Sequence, residues 1–423
     1  MPKKRARKPE FKRRIYLDYA ATTPVDPEVF LAMAPYFTNT FGNPGSMHIF
    51  GQSASGAVFE ARRIIADALQ ATPEEIFFTG SATEANNLFL RGVCAGKKGK
   101  NIIISAVEHE SIYETANDLE SEGIEIRKIP VSPEGVINLS YLKTAIDENT
   151  LLISVMYANN EIGTIEPMAQ IAEIIRNFKS GKLSNLNLGV DYPLLHTDAV
   201  QALQYLSLSV KSLHVDAITL SAHKIYGPKG IGALYIRDKG RATGNKQQAI
   251  RRKRSMSPAA VYLLPIITGG GQELGMRSGT ENVPAIVGFG RAVQLLYESQ
   301  EKETKRMYAL RDYFWNQLKK QNPKLQLNGV SLKKNIRLPN NLNIRFPERS
   351  AQELLIALDL HGVSASSGPA CGARSTMPSK TLLEIGLSEK EAKESIRFML
   401  GKFTTRHDID TALRVIKNNI KTP

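Results

Sequence analysis

Three side chains between two apolar runs offer the clearest chemistry in this chain. Ser221, His223 and Lys224 follow Asp216-Ala-Ile-Thr-Leu220 and precede Gly232-Ala-Leu-Tyr-Ile236. Both runs have the length and β-rich composition of buried strands. A lysine at the end of such a strand sits where low dielectric can make its amine nucleophilic. A surface turn in a basic protein would carry the same residues, so the remainder of the chain has to decide between the two.

Other strand-like runs end in polar groups too. The ends read Gly80-Ser-Ala-Thr83, Glu108-His109-Glu110, Asn159-Asn160-Glu161, Thr197-Asp198-Ala-Val-Gln201 and Ser221-Ala-His-Lys224. Each of these residues alone reads as a solvated loop residue; five such ends form a constellation. Gly80-Ser-Ala-Thr83 leads into a helix expected from Glu84 to about Cys94. Small residues at a helix start let a phosphate approach unpaired N–H groups. The plain reading of the same junction is an ordinary cap by Thr83. It is not a Walker loop, because no Gly-Lys-Ser/Thr follows.

The elements that must carry these ends alternate. Strands are expected at 75–79, 101–107, 124–129, 150–156, 194–197, 216–220 and 231–236. The helices between them are expected near 111–122, 139–146 and 167–179, with an earlier one near 52–69. Such alternation predicts an α/β fold with a mostly parallel seven-stranded sheet flanked by helices. Ligands of open sheets bind beyond the carboxyl ends of the strands. A chain of 423 residues exceeds one ordinary core, so two domains are expected. The large one should span 26–281, and a smaller α+β one 15–25 with 282–423. The smaller should include helices at about 284–320, 350–361 and 411–420.

The net charge of +14 suggests nucleic acid until it is located. Residues 1–14 and 237–254 each carry +7, so the rest of the chain is neutral. The first is expected to be a basic tail, without the features of a secretory or transit peptide. RNA proximity through these two segments is an open partner reading. No apolar run approaches a membrane span. Two cysteines, Cys94 and Cys371, in so long a chain fit a reducing, cytoplasmic setting. Cys94 reads as buried packing on a helix. Cys371, in a run of small residues, reads as an exposed thiol on a mobile loop.

An amine, a phosphate-binding helix start, a carboxylate and an imidazole are together the parts of a pyridoxal 5'-phosphate site. The lysine binds the cofactor as a Schiff base, a carboxylate keeps the pyridine nitrogen protonated, and hydroxyls with N–H groups hold the phosphate.

The spelling and order of the motifs resemble the cysteine desulfurases of the class-V aminotransferase family, fold-type I pyridoxal-phosphate enzymes. The matching pieces are LDYAATTP (17–24), FGNPGS (41–46), TGSATEANNL (79–88), EHES (108–111), NNEIGTIEP (159–167), HTDAVQ (196–201), SAHKIYGPKGIGALY (221–235), GGGQELGMRSGTENV (269–283), SSGPACGAR (366–374) and SIRFMLGKFTT (395–405). The resemblance implies that Lys224 carries the cofactor and moves protons at the substrate Cα. It implies that Asp198 pairs with the ring nitrogen, Gln201 reaches the ring hydroxyl and His109 stacks on the ring as a catalytic acid–base. Ala82, Thr83, Ser221 and His223 would hold the phosphate, and Thr280 would reach the phosphate of the neighbouring subunit, implying a homodimer. Arg397 would clamp the substrate carboxylate, a task that suits a planar fork. Asn159 lies beside the cofactor, and Asn43 and Asn159 complete the substrate set.

The resemblance further implies that L-cysteine is the substrate. Cys371 takes its sulfur as a persulfide, alanine leaves, and the sulfur passes to an acceptor protein, either an iron–sulfur scaffold or a tRNA-thiolation enzyme. No resident metal is implied, although Cys371 could transiently share a nascent iron–sulfur cluster. The cysteine loop reads Gly-Pro-Ala-Cys-Gly-Ala-Arg, where the long-loop branch has Gly-Ser-Ala-Cys-Thr-Ser. Pro369 is expected to stiffen it, and Arg374 to favour the thiolate. Segments 180–193 and 237–262 are longer than the family pattern. A selenocysteine lyase or cysteine-sulfinate desulfinase would use the same parts, and a non-enzymatic RNA-binding protein would use only the basic segments.

Overall fold

The computed structural model describes residues 14–180, 192–238, 263–368 and 377–420. The two longer-than-pattern segments and the cysteine loop therefore lie mostly outside the described residues. The chain begins with β1 (Ile15–Tyr16), followed by the short helices α1 (Pro27–Met33) and α2 (Pro35–Thr38) and the longer α3 (Ile49–Leu69). Then come β2 (Ile76–Thr79), α4 (Ala82–Cys94), β3 (Asn101–Ser105), α5 (Glu110–Ser121), β4 (Glu125–Ile129), α6 (Leu139–Ala145), β5 (Thr150–Ser154) and α7 (Met168–Ser180). The strands β6 (Leu194–Asp198), β7 (Ala217–Ser221) and β8 (Gly232–Ile236) complete the main sheet.

All seven expected strands join one sheet in the order β2-β8-β7-β6-β5-β3-β4. Only β8 runs antiparallel to its neighbours. Two reversals cancel, so β2 points the same way as β7, β6, β5, β3 and β4. Their carboxyl ends, and the amino end of β8, therefore share one edge. The strands β2, β3, β5, β6, β7 and β8 are buried throughout, as strands covered on both faces must be. Ile103, Ile153, Ile218 and Tyr235 face one core. Ile102, Ile104, Leu152 and Leu234 face the other, with α4 and α5. This is the period-two alternation of a sheet sandwiched between helix layers.

A second sheet of β9 (Gln326–Leu327), β10 (Asn341–Arg345) and β12 (Ser395–Met399) is antiparallel, in the order β12-β10-β9. It packs with the 39-residue helix Val283–Gln321, helix Ala351–Leu360 and helix Arg406–Ile420. The strand β1 pairs in parallel with β11 (Val363–Ser364), and Asp18 bridges to Met399. The N-terminal strand is thereby bonded to the C-terminal third of the chain.

One local expectation is corrected. Helix α4 starts at Ala82, two residues before Glu84, because Ser81, not Thr83, is its cap: Ser81 Oγ accepts the Glu84 N–H at 3.1 Å. The Glu84 carboxylate also turns back to the Gly80 N–H at 2.9 Å. Thr83 then lies exposed on the first turn.

Candidate active site

The shared sheet edge gathers the polar strand ends. On β7, Ser221 is buried and the next three residues turn as a short 3-10 helix that carries Lys224. The Lys224 Nζ donates to the carbonyls of Ala20 at 2.5 Å and Ala21 at 2.8 Å. Gln201 Nε2 donates to the same Ala20 carbonyl at 3.1 Å. The backbone after β1 thus brings together a lysine and a glutamine from two strand ends.

His223 is tied to the same segment. Its Nδ1 lies 3.1 Å from Thr22 Oγ1, and its carbonyl accepts both the N–H and the hydroxyl of Thr23. Burial, then the charges of Lys224 and Lys229, lower its pKa to about 4. The ring is therefore an uncharged donor at neutral pH, suited to a phosphate without bringing a charge of its own.

Asp198 closes β6 and is 6% exposed. Its Oδ1 accepts the Val200 N–H at 3.0 Å and its Oδ2 the Asn86 amide at 2.9 Å. His109 caps α5: its Nδ1 accepts the Ser111 N–H at 3.1 Å and lies 2.9 Å from Ser111 Oγ. Beside it, a cavity of about 120 Å³ is lined by Glu108, His109, Asn160, Glu161, Lys380 and Thr381 among others. The sequence marks Glu108 only as a neighbour of His109. Burial pushes its pKa well above the carboxylate range, and the charges of Asp198 and Glu166 add to that. Its Oε1 accepts the Met156 N–H at 2.6 Å.

The remaining expected residues are distributed as follows. Asn159 is 1% exposed, and its side chain is engaged with backbone: Oδ1 accepts from Glu161 and Ile162, and Nδ2 donates to the Val107 carbonyl. It shapes the turn after β5. Arg397 on β12 is 1% exposed; Nη2 pairs with Asp18 Oδ1 at 2.7 Å and Nη1 donates to the Asn160 carbonyl at 3.1 Å. Its buried Nε has no hydrogen-bond partner among the described residues, which leaves one donor of the fork unused. Asn43 and Thr280 are both exposed, and Asn43 Oδ1 accepts the Gly45 N–H at 2.9 Å. Cys371, with Pro369 and Arg374, lies outside the described residues. The described stem on either side of it meets Glu161. Ser379 Oγ donates to Glu161 Oε2 at 2.6 Å, while a side chain added at Gly368 would lie 3.8 Å from that same oxygen. Ser366 is bridged to Arg397. Cys94 is buried, and burial pushes its thiol up to about 12, so it is inert packing.

Pyridoxal phosphate fits these groups. The amine and the buried carboxylate stand at the ends of adjacent strands, β7 and β6, on the edge where α4 begins. Gly232 faces that helix start so closely that a Cβ there would lie 2.6 Å from the Ser81 carbonyl carbon and 2.8 Å from the Ala82 nitrogen. Only glycine lets α4 begin at the sheet edge, where its N–H groups can meet an anion.

An α/β scaffold with a lysine and a carboxylate on neighbouring strand ends defines a class of pyridoxal-phosphate enzymes. The chain belongs to the aminotransferase class-V family, which it matches over residues 15–412. It is 42% identical over 412 residues to a cysteine desulfurase IscS of Dictyoglomus turgidum, covering 97% of this chain and 95% of that one. Among solved structures, a NifS-like protein superposes with a TM-score of 0.82 at 33% identity, covering 96% of this chain and 99% of the other. A structure described as SspA in complex with cysteine gives 0.73 at 33% identity, over 92% of this chain and 100% of the other.

Proposed function

We propose that this protein is a pyridoxal-phosphate-dependent cysteine desulfurase that converts L-cysteine to L-alanine and leaves the sulfur as a persulfide on Cys371. The observation that carries the reading is the convergence of Lys224, Gln201, Asp198 and His109 at one sheet edge, in a chain whose relatives bear that name.

When bound, the cofactor supplies an electron sink for bonds at the substrate Cα. Asp198 would pair with its ring nitrogen, Gln201 would reach its ring hydroxyl and His109 would stack on its ring. Ala82, Thr83, Ser221 and His223 would hold its phosphate, joined by Thr280 of a neighbouring subunit. The unused Nε of Arg397 and its position beside Asn160 support a role in holding the substrate carboxylate, with Asn43 and Asn159 bordering that place. Lys224 Nζ takes the Cα proton. The Cys371 thiolate attacks the substrate sulfur: the S–S bond forms, the Cβ–S bond breaks, and its electron pair stays with the carbon fragment. That fragment takes up protons and leaves as alanine.

The homodimer is supported by apolar side chains left exposed from α1 to the start of α3, among them Phe30, Leu31, Phe41, Met47 and Ile49. The two-domain division, 26–281 against 15–25 with 282–423, is supported by the pairing of β1 with β11. The sulfur acceptor is a protein, of the iron–sulfur scaffold or tRNA-thiolation kind, and the setting is cytoplasmic. Among the described residues no helix is long and apolar enough to cross a membrane.

Borohydride reduction of the purified holoenzyme should fix the cofactor on the Lys224 peptide, and L-cysteine should yield alanine. A cofactor bound to another lysine, or no alanine, would sink this reading. Selenide release that survives Cys371→Ser while sulfide release is lost would favour a selenocysteine lyase instead.

A further inference from the structure

Helix α4 carries a fully buried asparagine whose role the motifs alone do not explain. Asn86 Nδ2 lies 2.9 Å from Asp198 Oδ2 and 2.8 Å from Ser111 Oγ, while its Oδ1 has no partner among the described residues. An ionised carboxylate only accepts, so the amide must turn its nitrogen toward Asp198. The second hydrogen on that nitrogen then occupies an acceptor site on Ser111 Oγ. Ser111 keeps its own hydroxyl hydrogen, and His109 Nδ1 is 2.9 Å away to receive it. The Ser111 N–H points at the same Nδ1. With two donors converging there, Nδ1 must present its lone pair, and the neutral ring carries its proton on Nε2.

The hydrogens therefore run in one direction, from Asn86 to Asp198 on one side, and from Asn86 through Ser111 to His109 on the other. A reversed amide would set Oδ1 against the carboxylate. An Nδ1–H tautomer would face the Ser111 N–H head-on. A buried residue that uses both amino hydrogens and leaves its carbonyl unpaired is retained for its donors. We propose that Asn86 is a positioning residue which, with Ser111, sets Asp198 and His109 as one unit and makes Nε2 the protonated, working nitrogen of His109. The inference rests on the reading of those two residues as the cofactor's contacts.

The test uses the full chain, freed of cofactor and labelled with 15N-histidine, the His109 signals being assigned by their loss in His109→Asn. Wild-type protein should show an unprotonated, hydrogen-bonded Nδ1 and a protonated Nε2. Ser111→Ala should move the Nδ1 signal toward that of an unbonded nitrogen, and Asn86→Leu should move it less. Equilibrium dialysis against pyridoxal phosphate should give binding about tenfold weaker for Asn86→Leu, which loses a donor to a charged group, and a smaller loss for Ser111→Ala, which leaves the Asn86–Asp198 bond in place. An asparagine with only a packing role would lower stability in Asn86→Leu without moving the His109 signals or weakening cofactor binding. A wild-type proton on Nδ1, or Asn86→Leu binding the cofactor as tightly as wild type, overturns the proposal. Should Asn86→Leu fail to fold, Asn86→Ala and the Ser111→Ala spectrum decide it. Wild-type protein that binds no pyridoxal phosphate would refute the cofactor reading instead, and the His109 spectrum would still decide the tautomer.

Discussion

The two sheets contribute to the site in different ways. The residues at the edge of the seven-stranded sheet stand on its strand ends and turns, Asp198 at the end of β6, His109 at the start of α5 and Lys224 on the turn after β7. Groups from other segments complete their contacts, Asn86 on Asp198 and the Ala20 and Ala21 carbonyls on Lys224. The three-stranded sheet offers Arg397, whose charge is met from far along the chain by Asp18 and whose fork reaches Asn160. The same sheet holds the Asn159–Glu161 turn, because Asn341 Nδ2 and Asn343 Nδ2 both donate to the Glu161 carbonyl, at 2.9 and 3.2 Å. Gly163 makes that approach feasible, since a Cβ there would lie 2.6 Å from the Asn341 side chain. The proposed cofactor's half therefore stands on the edge of one sheet, and the proposed substrate's half on contacts between the two sheets. Damage to the first should appear in the chemistry, and damage to the second in the handling of cysteine.

Lys224→Ala is the most severe break. Removing the amine should lower kcat by roughly 10³-fold or more, because no other group at the edge replaces a proton carrier bonded to Ala20 and Ala21. Retention of most activity in a steady-state alanine assay would contradict the placing of the chemistry on that sheet edge. Arg397→Lys should act on the other half. A lysine keeps the charge for Asp18 but loses the fork toward Asn160, so kcat/KM for L-cysteine should fall about 30–100-fold, chiefly through KM. A fall carried by kcat alone would place Arg397 with the chemistry and blur the distinction.

The smallest effect belongs to the turn that joins the halves. Burial raises the pKa of Glu166 to about 8, and only the Ile137 N–H, donating to Oε2, opposes this. In the folded protein it binds its proton more tightly than in the unfolded chain. Its favourable contribution is thus complete below about pH 4.5 and is lost as pH rises toward 8. Glu166→Gln removes the titration while retaining an oxygen for Ile137. Urea unfolding should find the variant more stable by about 1–3 kcal/mol at pH 8, with no gain at pH 4. An equal gain at both pH values would locate the effect in packing.

Much of the cofactor's half was legible in the sequence because its residues stand at the ends of apolar runs, where strand periodicity and residue type coincide. Ser221, His223, Lys224 and Asp198 are of this kind. The carbonyl of Ala20, on which Lys224 and Gln201 meet, has no residue-type signature, since any residue offers the same group. Asn86 stood inside the quoted motif TGSATEANNL yet drew no role, because only the packing of α4 against α5 and β6 reveals its partners. The pairing of Arg397 with Asp18 spans most of the chain and follows from β1 joining the C-terminal sheets, which local periodicity does not encode. His196, quoted within HTDAVQ, proved structural. It is fully buried between Ser154 and Thr219 and stacked on Phe89, and burial lowers its pKa to about 3.

The central claim is that the sulfur of cysteine is received by Cys371 at a site whose cofactor is carried by Lys224. Its most direct test is mass spectrometry of the Cys371 peptide after brief incubation of the holoenzyme with L-cysteine and no acceptor. The account predicts one added sulfur on that peptide, sensitive to reductant, with alanine formed in equal amount and neither product in Lys224→Ala. Alanine formed while the Cys371 peptide stays unmodified, or added sulfur found only on the Cys94 peptide, would contradict it.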